Sequence, residues 1–243
     1  MGTILRLPVS LRDKDIFGIF EDWESNYVTG DRWTPLTSDL TDAATQALVL
    51  ATTGVGGILS VTNDATDNDE FYYGMTKSCF KIANNKPCYY ETRMQYSELA
   101  TSANNAIAGW CSTFAANTLI DNGGGPVASA TMALIYKVDG GTVWRCRSQI
   151  GAAVGQTDTI SQHTAGGAAY QTLGVEIQPY SATNAKVIYT IDGAAMLDTA
   201  GRAIVHDLVY TNAVNMSPIW GGKTGGANAE VMLNDYIAAY QSR

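Results

Sequence analysis

"YQTLGVEIQPYSATNAKVIYTIDGAAM", residues 170–196, carries the clearest periodicity in the 243-residue chain. Leu173, Val175 and Ile177 alternate with Gly174, Glu176 and Gln178; after a polar turn, Val187, Tyr189 and Ile191 alternate with Ile188 and Thr190. An apolar period of two belongs to a β-strand that buries one face. Asp192-Gly193 then turns the chain again, with residue types that tolerate the left-handed backbone of a tight hairpin turn. The stretch predicts an antiparallel hairpin in which Leu173, Val175 and Ile177 point one way and are answered by Val187, Tyr189 and Ile191.

The same alternation recurs in both directions. Residues 88–96, CYYETRMQY, place Tyr90, Thr92, Met94 and Tyr96 on one face and Tyr89, Glu91, Arg93 and Gln95 on the other. Residues 130–138 and 142–150 flank Asp139-Gly140-Gly141, a hairpin signal. In the second of these, Val143, Arg145 and Arg147 oppose Trp144, Cys146 and Ser148. Residues 47–52, 56–62, 70–75 and 105–111 add further strands, while the Gly/Ala/Thr-rich stretch 151–169 reads as a loop. At the end, Val231, Leu233, Asp235, Ile237 and Ala239 share one face, and Met232, Asn234, Tyr236, Ala238 and Tyr240 the other. Short strands at regular spacing, with no sustained helical period, predict an all-β, antiparallel β-sandwich. Residues 15–243 form its single domain.

Residues 4–11, ILRLPVSL, alternate as well, but Pro8 cannot donate to a ladder, which suits an edge strand or an extended arm. Residues 1–14 are assigned as an extended N-terminal arm. Leu5, Leu7, Val9 and Leu11 are its candidate partner-binding residues, because strand addition to a neighbour would use such a row.

Charge and motif content narrow the function. Net charge is −8 with only 15 Lys and Arg; scattered in this way they are no nucleic-acid footprint. No apolar run is long enough to span a membrane, and the first residues do not read as a secretory signal. Cys79, Cys88, Cys111 and Cys146 contain no Cys-x-x-Cys pair; buried free thiols are expected, with a Cys79–Cys88 bridge as the alternative. His163 sits in a loop-like stretch and His206 in a half-buried one. There is no Gly-x-Ser-x-Gly elbow, and the glycine runs 54–57 and 121–126 lack the Lys and Ser/Thr of a phosphate loop. Asp64, Asp67, Asp69 and Glu70 crowd one loop without calcium-loop spacing. Solvated charges explain them, and no metal or cofactor is assigned. Tyr89, Trp110 and Trp144 are candidates for stacking on sugars if they are exposed; core packing is the other use of aromatics in strands. No catalytic constellation is apparent, so the chain is expected not to be an enzyme.

"TLGVEI" followed by "AKVIYTIDG", and the closing "LNDYIAAYQ", resemble the concanavalin A-like jelly rolls, which include laminin-G modules, legume-type lectins and laminarinase-like glycoside hydrolases. The Glu-x-Asp-x-x-Glu of those hydrolases is absent; Glu91 is a lone acid on its strand. In layout the chain also resembles virion proteins of tailed bacteriophages, through Trp23 with Gly30-Asp31-Arg32-Trp33, residues 66–70, 123–126 and 236–241. That resemblance implies a capsid decoration or cement protein on the virion surface, made in the host cytoplasm, with the major capsid protein as partner. A second copy of the chain and glycans are further candidate partners, and a lectin-like carbohydrate-binding module is the alternative function.

Overall fold

The computed structural model describes residues 16–23, 32–38, 49–50, 57–63, 65–98, 103–151, 154–210 and 214–243. The N-terminal arm with Leu5, Leu7, Val9 and Leu11 lies outside them, as does Asp64. The described residues form strands and no helix: β1 (Ile16–Glu21), β2 (Trp33–Ser38), β3 (Val49–Leu50), β4 (Leu59–Thr62), β5 (Glu70–Met75), β6 (Phe80–Ile82), β7 (Cys88–Ser97), β8 (Asn104–Cys111), β9 (Leu119–Ile120), β10 (Gly125–Pro126), β11 (Met132–Lys137), β12 (Val143–Ile150), β13 (Val154–Thr164), β14 (Gly167–Pro179), β15 (Asn184–Ile191), β16 (Ala194–Ala195), β17 (Val205–Val209), β18 (Val214–Thr224) and β19 (Val231–Ser242).

Two antiparallel sheets carry nearly all of them. The hairpin sheet runs β16-β15-β14-β7-β19-β4-β3, with β17 also beside β15 and β1 also beside β19. The opposing sheet runs β13-β12-β11-β8-β18-β5-β2, with β6 beside β18. The hairpin of residues 170–196 forms as its pattern requires. Leu173 pairs with Ile191, Val175 with Tyr189 and Ile177 with Val187, and all six side chains enter the core. Asp192 (φ 50°) and Gly193 (φ 76°) make the turn into β16, a left-handed pair that favours glycine at the second position.

Stacked sheets lie about 10 Å apart, a gap that side chains of both must fill. Tyr90, Met94, Tyr96 and Tyr189 point inward from the hairpin sheet and Phe71, Tyr73, Trp110, Trp144 and Trp220 from the opposing one. Their rings meet edge-on: Tyr90 on Trp110 at 5.9 Å, Phe71 on Trp220 at 5.2 Å and Tyr96 on Trp144 at 6.0 Å. Two of the polar tips find backbone acceptors across the gap. Trp110 Nε1 donates to the Val175 carbonyl at 3.2 Å, and Tyr90 Oη donates to the Ile219 carbonyl at 2.9 Å.

The outer face of the opposing sheet is covered by the chain itself. Residues 112–131, which include the β9–β10 ribbon, lie over it, and Leu119 joins Tyr72, Ile107, Met132, Leu134, Tyr136 and Ile219 in a second apolar cluster. Strands β8 and β11 are therefore buried on both faces, which explains their continuous apolar sequence.

Two sequence expectations are corrected, and the cysteines follow the expected free-thiol reading except that Cys79 is exposed. Residues 151–169 are not a loop: they hold β13 and the start of β14. β13 is an edge strand with only β12 beside it, and Thr, Ser and Gln take positions that aliphatic residues would fill in a central strand. The terminal strand does not keep one alternation, because its pairing to β7 shifts between Asn234 and Tyr236. Asp235 is the extra residue of a β-bulge, so Met232, Ile237 and Ala239 all face the core. All four cysteines are free; Cys79 is exposed and the other three are buried.

Tyr90→Phe removes a donor but leaves the Ile219 carbonyl buried, and is expected to destabilise the protein by about 1–2 kcal/mol. Trp110→Ala is expected to remove about 3–5 kcal/mol. Chemical denaturation, read as a change in midpoint at constant slope, checks both values.

Candidate functional site

With one sheet covered, the open surface is the outer face of the hairpin sheet. Strand register lines up its side chains in rows across the strands. One row runs Gly18, Tyr240, Tyr89, Glu176, Ile188, Val205. The next runs Phe20, Ala238, Glu91, Gly174, Thr190. A third holds Tyr236, Arg93 and Thr172. Successive rows are two residues apart along each strand, so the outer two are separated by about 13 Å. Ala238, Glu91 and Gly174 form the middle row; Ala238 and Gly174 are buried among taller side chains and Glu91 is partly exposed. A β-carbon at Gly174 would collide with the Thr190 hydroxyl, so glycine is required there by close approach.

Aromatic rings border this row on both sides. Tyr89 and Tyr240 stack at 4.9 Å, and Phe20 stacks on Tyr236 at 5.6 Å. Tyr236 Oη donates to Glu91 Oε1 at 2.7 Å. Burial, with the Glu91 carboxylate beside it, pushes the Tyr236 hydroxyl well above its ordinary pKa and keeps it a neutral donor. Tyr89 is pushed up to about 12 by burial and by Glu176. The Arg93 guanidinium lies 4.2 Å from the centre of the Tyr170 ring and pairs with Asp235. Lys186 pairs with Asp207 at 2.5 Å. The bulge at Asp235 makes this arrangement: it turns Tyr236 outward and presents its hydroxyl to Glu91.

The candidate residues separate clearly. Tyr89 is half-exposed on this face. Trp110 and Trp144 are 0% and 1% exposed; both lie between the sheets, so their candidacy for stacking on sugars is withdrawn. Glu91 is bonded to Tyr236, a partner that the spacing of its own strand does not reveal. His163 lies in β13, not in a loop, and its Nε2 accepts from the Leu197 amide at 3.1 Å. His206 is fully buried, with Ser148 Oγ at 3.0 Å and Tyr189 Oη at 3.2 Å from Nδ1 and Thr159 Oγ1 at 2.9 Å from Nε2. Asp69 and Glu70 are not solvated: both turn inward. Among the described residues no group of three or more His, Cys, Asp or Glu side chains could hold a metal.

Glu70 belongs to a buried charge cluster that fastens residues 112–131 to the opposing sheet. Tyr72 Oη donates to Glu70 Oε2 at 2.8 Å, and the Asn117 amide donates to Glu70 Oε1 at 2.7 Å. Lys223 Nζ lies 3.5 Å from Glu70, pairs with Asp121, and donates to Asn117 Oδ1 at 2.6 Å and to the Leu119 carbonyl at 3.2 Å. Farther along the sheet, Arg147 donates to Asp158 at 2.7 Å and to the Pro126 carbonyl, while Tyr136 donates to Asp158 at 2.8 Å. Burial raises the Asp158 pKa, but the bonds from Arg147, Gln156 and Tyr136 outweigh it and hold the carboxyl below its usual range. The sequence signal for this clamp was a lysine inside the strand-like run 214–224.

Burial lowers His206 to about 4 against an unfolded value near 6.5. The group binds its proton more readily when the chain is unfolded. Its contribution is therefore complete above pH 6.5 and is lost as pH falls toward 4, amounting to about 3 kcal/mol. His206→Gln is expected to flatten that limb in pH-dependent denaturation. Lys223→Met leaves two carboxylates without their cation and is expected to destabilise by about 3–5 kcal/mol; Glu70→Gln added to it recovers part of the loss in the same assay.

No protein-family model and no curated relative matches the sequence; the likeness to known proteins is structural. An endo-1,3-beta-glucanase from Streptomyces sioyaensis matches with a TM-score of 0.56 at 12% identity, over 94% of this chain and 97% of that one. The carbohydrate recognition domain of Emp47p matches with a TM-score of 0.56 at 10% identity, over 92% and 95%. An endo-beta-1,4-glucuronan lyase from Trichoderma reesei matches with a TM-score of 0.54 at 14% identity, over 91% and 94%. The expectation that the chain is not an enzyme is corrected here: two of these neighbours are enzymes on the same architecture, so a missing Glu-x-Asp-x-x-Glu does not exclude catalysis. The virion reading and its capsid-protein partner find no support among these proteins. With two antiparallel sheets and superpositions that span more than 90% of the chain, the chain has the concanavalin A-like jelly-roll fold.

Proposed function

We propose that the chain is a carbohydrate-binding β-sandwich that seats an oligosaccharide across the strands of the hairpin sheet's outer face. The observation that carries this reading is the pair of stacked aromatic couples, Tyr89–Tyr240 and Phe20–Tyr236, on either side of the middle row Ala238, Glu91, Gly174. A sugar ring presents C–H groups on its faces and hydroxyls at its rim. Aromatic side chains complement the faces, and a few fixed polar groups orient the rim. Glu91, Glu176 and Arg93 supply such groups beside the rings. The carbohydrate recognition domain among the structural neighbours supports this reading at the level of fold, which alone does not assign function.

A glycan array followed by titration calorimetry tests the proposal. Tyr89→Ala and Tyr236→Ala are each expected to weaken binding about tenfold, equivalent to about 1.4 kcal/mol, with far-ultraviolet circular dichroism unchanged. Ile120→Ala, exposed on the segment over the opposite sheet, is expected to bind as the parent does. A blank array, or full binding by the Tyr89→Ala/Tyr236→Ala double variant, would sink the proposal.

A further inference from the structure

We infer that the glycan seated on this face carries free amines, as in polymers of 2-amino-2-deoxyhexose, and that glycans bearing carboxylates or sulfates are rejected; this inference rests on the carbohydrate-binding reading. Among the described residues, the two cations on the strands of this face, Arg93 in the third row and Lys186 on β15, are already matched. Arg93 is held by Asp235 and by the Tyr170 ring, and Lys186 is held by Asp207. Among the described residues, Glu91 and Glu176 have no cation as a bonded partner. Glu91 accepts from the Tyr236 hydroxyl, and Glu176 accepts from Gln178 Nε2 at 2.5 Å and from the Tyr89 hydroxyl. Both sets of donors to these carboxylates are neutral.

They are also placed to act together. Glu91 lies opposite Gly174 on β14, and Glu176 is two residues farther along that strand on the same face. Diagonal neighbours of this kind are about 7–8 Å apart at the backbone, within reach of a single ammonium or of amines on successive sugars. The Tyr89 and Tyr240 rings adjoin Glu176, and the Tyr236 ring adjoins Glu91. A sugar stacked on these rings therefore presents its substituents to a carboxylate. An acidic sugar in the same place would bring a third negative charge beside two, with no unpaired cation among the described residues of this face to receive it, on a protein of net charge −8. Like charges brought together in this way act as a filter against the wrong partner.

The test is titration calorimetry with three tetrasaccharides: a β-1,4-linked 2-amino-2-deoxyglucose tetramer, its fully N-acetylated form and a tetraglucuronate. It is run at pH 6, where the amines are largely protonated, at low and high salt. The amine tetramer is expected to bind about tenfold more tightly than the acetylated one at low salt, and to lose that advantage as salt screens the charges. Glu91→Gln and Glu176→Gln keep side-chain size and an oxygen acceptor. Each is expected to reduce the amine preference, the ratio of the two affinities, about fivefold. Equal or tighter binding of the acetylated tetramer or the glucuronate, or an amine preference that survives both substitutions, overturns the inference and leaves the carbohydrate-binding reading standing. Absence of binding to all three, together with a blank array, brings down both.

Discussion

Two hydrogen bonds cross the interior in opposite directions: Trp110 of the opposing sheet reaches the Val175 carbonyl, and Tyr90 of the hairpin sheet reaches the Ile219 carbonyl. Indole and phenol groups fill the space between sheets well, but each brings a polar atom that must be satisfied once water is excluded. Meeting that demand with backbone acceptors on the facing sheet ties the lateral position of one layer to the other. The inward faces of β7, β8, β14 and β18 are thereby committed. What β7 and β14 present outward follows from alternation, and together with the residues that the bulge in β19 turns outward it builds the candidate glycan face.

The two outer faces have opposite fates. On one, residues 112–131 of the same chain take the place of a ligand and are held by a buried lysine, two carboxylates and an arginine clamp. A buried cation with matched partners fastens a covering segment at the expense of desolvation. On the other, the strands remain open and the charges sit at the surface in neighbouring pairs. Structural neighbours of this architecture include a recognition domain and polysaccharide-directed enzymes, so fold alone leaves the chemistry undecided. The proposed specificity rests on the aromatic couples and carboxylates of the open face.

Much of the fold was legible because alternation is a strong signal where one face is buried and the other is not. Residues 170–196 and 88–97 are such cases, and their inward sets match the structure residue for residue. The signal failed where that condition failed. β13 is an edge strand with a polar inner face, so it carried no hydropathy contrast. The end of β19 resumed its alternation one position out of step, and no composition cue marks the bulge. The candidate site was legible only in part. Tyr89 and Glu91 could be placed on an outward face, but their partners Tyr240 and Tyr236 lie more than a hundred residues away, and register is a tertiary fact. The tryptophans misled for the opposite reason: large rings suit a core and a sugar platform equally well, and only the second layer decides between them.

The bulge at Asp235 has one more consequence. β4 lies against the part of β19 before it and β1 against the part after it, so the two flanking segments sit end to end along one neighbour yet answer to different phases. The extra residue works as a phase reset, letting chain segments from distant parts of the sequence share an edge without a common pattern. Removing it would not merely shorten a strand. Ile237 and Ala239 would exchange sides with Tyr236 and Tyr240, and Phe17 and Ile19 of β1 would lose the inward partners they pack beside. Among natural variants of this chain, single-residue length changes should therefore be rarer at this position than in the turns, even though Asp235 itself is partly exposed.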